Sequence, residues 1–176
     1  MKIYLAVGGT ITNLVPALTD NGLSRPEAVR IMSLFGAAVI GGRILVGALV
    51  DRFWAPAIAT GVLLPASAAS LLLTADLSFS SYAAAAVLLG AATGMEFDML
   101  AFLAARYFGL ADFPRIYGRL YMFVAGAAGV APLAFGHLFD RTSSYDLAFG
   151  ISAILLAGGA AGLLALGRYP VIPDAS

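Results

Sequence analysis

Three ionisable side chains lie inside stretches of sequence that are otherwise apolar. Arg43 is in a stretch from 27 to 49, and Glu96 and Asp98 are in one from 82 to 105. A charge within hydrocarbon is costly and normally faces a cavity or a partner, so such residues are candidates for function. The Arg43 guanidinium suits a carboxylate, because two of its N–H groups can bind both oxygens. The alternative is that Arg43 extends to nearby headgroups.

Glu96 and Asp98 are expected to lie in different surroundings. At about 100° per residue, two positions apart on a helix means about 200° apart around its axis, so both cannot face one cavity. One of them is expected to line a water-filled path between the apolar stretches and to carry a proton. Two further hypotheses stay open for these carboxyls, a structural polar pairing with a neighbouring helix and a salt bridge to Arg43.

The remaining polar residues give weaker indications. Asn13, with Thr10 and Thr12, forms a polar patch in the first apolar stretch, which predicts either a substrate contact or hydrogen bonds between helices. His137 is the only histidine and lies near the end of a stretch, as interfacial residues do. There is no cysteine, no HExxH motif and no Gly-x-Ser-x-Gly elbow, so we expect no enzyme, catalytic residue, metal or cofactor.

The composition indicates a membrane protein. Only 11% of the residues are charged and 61% are hydrophobic, with a mean hydropathy of +0.93, whereas soluble domains have about a quarter charged residues. Several stretches are apolar on all sides, so lipid has to cover them. The net charge is zero, which argues against a nucleic-acid partner.

Six apolar stretches are each close to the roughly 20 residues that cross a bilayer. They run from about 3 to 18, 27 to 49, 56 to 75, 82 to 105, 117 to 138 and 146 to 167. Short connections rich in Gly, Pro, Asp and Ser separate them. We therefore predict an all-α membrane protein with one six-helix bundle over 1–176, ending in a short cytoplasmic tail at 168–176.

A short motif occurs twice in the chain. Residues 47–52 read Gly-Ala-Leu-Val-Asp-Arg, and residues 136–141 read Gly-His-Leu-Phe-Asp-Arg. Three predicted spans separate the copies, so the second copy lies on the opposite membrane face from the first. This arrangement is typical of inverted three-helix repeats, here about 1–75 and 82–167. Inverted repeats occur in secondary transporters, which bind substrate near the midplane.

The distribution of cations predicts the orientation, because lysine and arginine accumulate on the cytoplasmic side. With the N-terminus inside, the cytoplasmic set is Lys2, Arg52, Arg106, Arg115, Arg119 and Arg168, and the outside set is Arg25, Arg30 and Arg141. The acidic residues then predicted to be outside are Asp20, Glu27, Asp76, Asp140 and Asp146. We therefore expect a multi-pass protein of the cell membrane with both termini in the cytoplasm.

Two groups of motifs resemble a known family. Residues 42–53, Gly-Arg-Ile-Leu-Val-Gly-Ala-Leu-Val-Asp-Arg-Phe, resemble the loop signature in the C-terminal half of the major facilitator superfamily, although Trp-Ala-Pro follows where a basic cluster is usual. Gly-Met-Glu-Phe-Asp at 94–98, Arg-Tyr-Phe-Gly at 106–109 and Phe-Asp-Arg at 139–141 look like the last three helices of monocarboxylate and oxalate/formate carriers. Asn-Leu-Val-Pro at 13–16 fits the seventh helix.

The resemblance implies a partner and a substrate class. Such carriers have twelve helices, so the chain would be helices seven to twelve, a fragment that pairs with an N-terminal six-helix half, or a half-size protein that pairs with a second copy. The substrate would be a small organic anion, with Arg43 where such carriers often place a substrate contact. Gly47, Asp51 and Arg52 would act in conformational switching. The alternative is a non-transporting sensor or assembly protein that kept the fold.

Overall fold

The structure is a computed structural model that describes residues 2–75 and 77–170. The described residues form six α-helices and no strands: α1 (Lys2–Asp20), α2 (Arg25–Val50), α3 (Ala55–Leu72), α4 (Phe79–Phe108), α5 (Phe113–Thr142) and α6 (Asp146–Leu164). The all-helical prediction is confirmed, with helix ends close to the predicted ones. Met1, Asp76, the side chain of Lys2 and residues 171–176 of the predicted tail lie outside the described residues.

Local sequence explains where several helices begin and end. Ser24 precedes α2, and its backbone N–H donates to the Glu27 carboxylate at 3.0 Å, which satisfies one of the free N–H groups of the first turn. Pro114 lies in the first turn of α5, where its missing N–H costs nothing. Gly109 ends α4 with φ of 80°, a conformation that favours glycine.

Five of the six helices, α2 to α6, are long and apolar enough to cross a membrane. This is the arrangement of an integral membrane protein. The helix α1 has 19 residues but is not among the five, and it carries the polar patch of Thr10, Thr12 and Asn13. A crossing by α1 therefore stays a prediction.

The contacts between helices are related by an exchange of the first three helices with the last three. The helix α2 packs against α4, α3 against both α4 and α6, and α1 against both α5 and α6. Replacing α1, α2 and α3 by α4, α5 and α6, and the reverse, returns this same set of pairs. Two related three-helix units would give this pattern.

Hydroxyl groups join α3 to α6 in the core. Ser67 and Ser70 are buried and donate to the carbonyl oxygens of Ala153 and Phe149 at 2.8 and 2.9 Å. Small residues with hydroxyl groups let membrane helices approach and bond to each other, so this contact is close and specific.

Gly158 and Gly162 lie four residues apart in α6, a spacing that predicts close approach of another helix. This prediction is wrong. A Cβ atom at either position would have no atom within 4 Å, so neither glycine contacts another helix closely. Gly159 does so instead, because its Cβ would lie 2.6 Å from Cγ1 of Ile3 on α1. Gly158 and Gly162 share one face of α6, but that face does not pack against another of the described helices.

Two helices leave large apolar faces without a partner among the described residues. On α2, Ile40 and Ile44 are exposed, and on α5, Met122 and Leu133 are exposed. Several glycines on these two helices also have open space where a side chain would be: Gly36, Gly41, Gly47, Gly118, Gly126 and Gly129. The helices α2 and α5 are counterparts under the exchange of the two triplets.

The orientation can be tested with single cysteines, because the chain has none of its own. We expect Phe113→Cys, at the first residue of α5, to react with an impermeant maleimide only from the cytoplasmic side, since arginines surround this helix start. The matched control, Ser143→Cys after α5, should react only from outside. Labelling of position 113 from outside in intact cells would contradict the predicted orientation.

Candidate functional site

The helices α2 and α4 approach each other through glycines. A Cβ atom at Gly42 would lie 2.6 Å from the carbonyl oxygen of Ala91, and one at Gly94 would overlap the backbone of Val39. Gly90 lies in the same way against the Phe35 carbonyl. Only hydrogen fits at these positions, so the two backbones are in direct contact. We call this contact the glycine seam. Gly90 and Gly94 lie four residues apart, a spacing that predicts such a close approach, and the structure confirms it.

An ion pair closes across the seam, one residue after Gly42 and one turn after Gly94. The Nε atom of Arg43 donates to Oδ2 of Asp98 at 2.9 Å, and its Nη2 atom donates to Oδ1 at 3.3 Å. The guanidinium thus binds both oxygens of one carboxylate, which is the geometry that discriminates arginine from lysine. A salt bridge to Arg43 is one of the three hypotheses for the two carboxyls, and the structure shows it for Asp98.

This ion pair is not enclosed by the bundle. The side chains of Arg43 and Asp98 are 52% and 49% exposed. Arg43 is seven residues before the end of α2, which puts it about 10 Å inside the helix end. Charges facing hydrocarbon at this depth are costly, so this surface requires water or another protein to cover it.

Glu96 lies on the other side of α4, inside the bundle. It is only 8% exposed, whereas Asp98 is about half exposed, so the prediction that the two carboxyls face different surroundings is confirmed. Glu96 therefore does not share the surface on which Arg43 and Asp98 meet. Helical geometry alone gave this separation, because residues two apart point to opposite sides.

Glu96 lines a small cavity of about 100 Å³ where α1, α3, α4, α5 and α6 converge. The other lining residues are apolar except Tyr4, and neither Oε2 of Glu96 nor the Tyr4 hydroxyl has a hydrogen-bond partner among the described residues. A cavity of this size has room for water molecules. Two polar groups are available to hold them.

Asn13 makes only local contacts in the described part of the chain. Its Nδ2 atom donates to the Gly9 carbonyl at 2.9 Å and to the Thr12 hydroxyl at 3.0 Å, both on α1. No hydrogen bond joins Asn13 to the pair on α2 and α4. The prediction that Asn13 contacts substrate therefore stays a prediction.

Gly47, Asp51 and Arg52 lie at the end of α2. A side chain at Gly47 would meet open space. Asp51 and Arg52 line a wide pocket of about 810 Å³, together with Arg106 near the end of α4 and Arg168 after α6. We call it the arginine pocket. Among the described residues no ion pair forms at Asp51, and the proposed switching role of these three positions is untested.

The arginine pocket is not predicted by the sequence. The distribution of cations predicts Arg52, Arg106 and Arg168 on one membrane side, which is the available signal, but not in one site. Their convergence depends on how α2, α4 and the segment after α6 pack, and no local pattern shows that.

His137 is exposed near the end of α5 and is not among the residues that line the cavity at Glu96 or the arginine pocket. Within residues 2–75 and 77–170, no three His, Asp or Glu side chains come together in a way that would hold a metal ion. The polar chemistry of the described residues is therefore that of Arg43 with Asp98, of Glu96 with Tyr4, and of the arginine pocket.

Comparisons with known proteins give no family. No protein-family model matches the chain, and no curated protein matches its sequence. The resemblance to the major facilitator superfamily stays a prediction from motifs, and function has to be inferred from the site geometry.

The glycine seam makes a stability prediction. We expect Gly94→Ala to lower the free energy of unfolding by about 1–3 kcal/mol, because the added Cβ forces the backbones of α2 and α4 apart. The matched control is Gly36→Ala, where the Cβ meets nothing, and which should be neutral or stabilising by up to about 1 kcal/mol. Unfolding in mixed micelles, followed by circular dichroism, measures both; equal stabilities would disprove the close approach.

Proposed function

We propose that this chain is one six-helix half of a secondary carrier of the major facilitator type, the C-terminal half. It moves a small organic anion such as a monocarboxylate, by alternating access, with proton coupling or by exchange. The observation that carries this proposal is the two-point pair of Arg43 and Asp98 on an open surface within the spans. An arginine held in this way is already oriented to bind a carboxylate.

Asp98 occupies the place that a substrate carboxylate would take. Its two oxygens accept from Nε and Nη2 of Arg43, and a carboxylate of a small organic acid offers the same two acceptors. Because both partners are half exposed, a solute in an aqueous cleft can reach the guanidinium without unfolding the bundle. Substrate and Asp98 then compete for one donor pair.

This competition supplies a coupling mechanism. When Asp98 takes up a proton it no longer balances Arg43, and the substrate carboxylate binds the guanidinium instead. Before binding, the two charges are those of Arg43 and ionised Asp98. After binding, they are those of Arg43 and the substrate carboxylate, and Asp98 is neutral, so one proton enters with each monocarboxylate. In exchange, a second anion replaces the first before Asp98 returns. Glu96, buried in its cavity, is a second candidate to carry the proton.

The exposed faces of α2 and α5 support the proposal that a second bundle of helices packs against this one. Both carry large apolar side chains and glycines that contact nothing among the described residues, and a close approach by other helices would use such positions. The partner is the N-terminal six-helix half or a second copy of this chain, with lipid on the remaining surface. The exchange relation among helix pairs supports two inverted repeats with a site between halves.

Gly47, Asp51 and Arg52 are placed to act in the conformational switch. They lie at the end of α2, the helix that carries Arg43, where rocking of one half against the other changes contacts most. A carboxylate such as Asp51 would stabilise one state by pairing with a helix N-terminus of the partner half, and release it in the other.

Transport can be tested in proteoliposomes. The chain is reconstituted alone, and together with any six-helix product encoded directly upstream, and uptake of labelled acetate, lactate and oxalate is measured under an inward proton gradient. We expect Arg43→Lys to reduce uptake at least about tenfold, because the two-point hydrogen bonding to a carboxylate is lost. The matched control is Arg30→Lys, near the other end of α2, which should transport normally.

Asp98→Asn separates coupling from binding. We expect it to abolish proton-driven uptake while substrate exchange persists, since Arg43 stays free for the anion. Glu96→Gln is measured beside it, and loss of proton coupling there would assign the proton to Glu96. Uptake unaffected by any of these variants would contradict the carrier mechanism, and carboxylate binding without flux would favour a sensor.

A further inference from the structure

The arginine pocket has a strong charge imbalance. Its wall contains the three guanidinium groups of Arg52, Arg106 and Arg168 and the single carboxylate of Asp51, which leaves a net charge of about +2. None of these arginines forms a salt bridge in the part of the chain that the structure describes. Their N–H donors are therefore available, and the chemistry of the wall suits an anion with several oxygen acceptors.

The pocket is held in shape by aromatic side chains. The guanidinium of Arg106 lies over the rings of Phe102 and Tyr169, at 5.5 and 5.6 Å from their centroids. The Tyr169 hydroxyl accepts from the Ala55 backbone N–H at 2.9 Å, which fixes the segment after α6 against the start of α3.

A second tyrosine fixes the same segment. The Tyr107 hydroxyl donates to the carbonyl oxygen of Gly167 at 2.6 Å, and its ring packs edge-on against Tyr169 with centroids 5.3 Å apart. Arg168 lies between these two anchored positions. The cationic wall is therefore built before any ligand arrives, which lowers the cost of ordering on binding.

The surroundings of the pocket indicate an amphiphilic ligand. It lies at the ends of α2 and α4, which are predicted to reach the headgroup level. Its lining residue Phe53 is 61% exposed, and Phe108, two residues after Arg106, is 55% exposed. Trp54 also lines it and, like other interfacial tryptophans, suits the headgroup level. At about 810 Å³ the pocket is of the size that small-molecule ligands occupy.

We infer that the arginine pocket binds the phosphate headgroup of an anionic phospholipid, with the acyl chains along the exposed apolar rim. A free phosphate would use the same arginines, but it would gain nothing from Phe53 and Phe108. Basic pockets between membrane helices on the cytoplasmic side are suited to such headgroups. This inference goes beyond the proposed transport and does not depend on it.

The single tryptophan provides the assay, because Trp54 is the only one in the chain and lines the pocket. The purified chain in detergent micelles is titrated with phosphatidylglycerol that carries bromine on its acyl chains, and separately with brominated phosphatidylcholine. Bromine quenches Trp54 fluorescence on contact. We expect phosphatidylglycerol to quench at a mole fraction at least about tenfold lower than phosphatidylcholine, because each arginine near an anionic headgroup contributes about 1 kcal/mol.

The double variant Arg106→Gln, Arg168→Gln should lose this preference. The matched control Arg141→Gln, in the last turn of α5 and outside the pocket, should keep it. Both arginines are exposed, and circular dichroism checks that the helices persist. Equal quenching by the two lipids, or a preference that survives the double variant, would overturn the inference. Competition by millimolar inorganic phosphate would also overturn it, since it would assign the site to free phosphate.

Discussion

The ion pair between Arg43 and Asp98 sets the main constraint on this protein. It puts two charges on the surface of a bundle whose helices are mainly apolar, about 10 Å inside a helix end. Such a pair is compatible with a membrane only where water or protein covers it. The glycine seam is what brings the two side chains together, because bulkier residues at Gly42 and Gly94 would hold α2 and α4 apart.

The two triplets of helices share packing but not chemistry. The contact between α1 and α5, which corresponds to that between α2 and α4, is also lined by glycine: Gly9 lies directly against Phe135, and a Cβ at Gly8 would be 3.4 Å from that of Ala131. An apolar ring fills this second contact, and the only salt bridge among the described residues lies in the first. The two corresponding helix contacts therefore differ in chemistry, one closed by an ion pair and the other by an aromatic ring.

Much of this could be predicted from the sequence where the signal is local. Apolar length gave the helices, and the angle between positions 96 and 98 gave a buried and an exposed carboxyl. The partner of Arg43 could not be chosen between headgroup, substrate and Asp98, because that depends on which helices are in contact. The prediction of a close approach at Gly158 and Gly162 is wrong for the same reason. Spacing shows that two glycines share a face of a helix, but not whether another helix lies against that face. The cavity at Glu96 and the arginine pocket both need several helices to converge, which no local pattern contains.

We infer that the surface around Arg43 and Asp98 does not face lipid. A spin label at Ile40→Cys lies one turn from Arg43 on α2 and is compared with one at Ile154→Cys on α6; these residues are 63% and 73% exposed. In bilayers, collision rates with oxygen and with a water-soluble nickel chelate report the surroundings of each label. We predict low oxygen access at position 40, because water or a protein partner covers this surface in place of lipid. At position 154, which faces lipid, we predict high oxygen access and low nickel access. High oxygen and low nickel access at both positions would contradict the account.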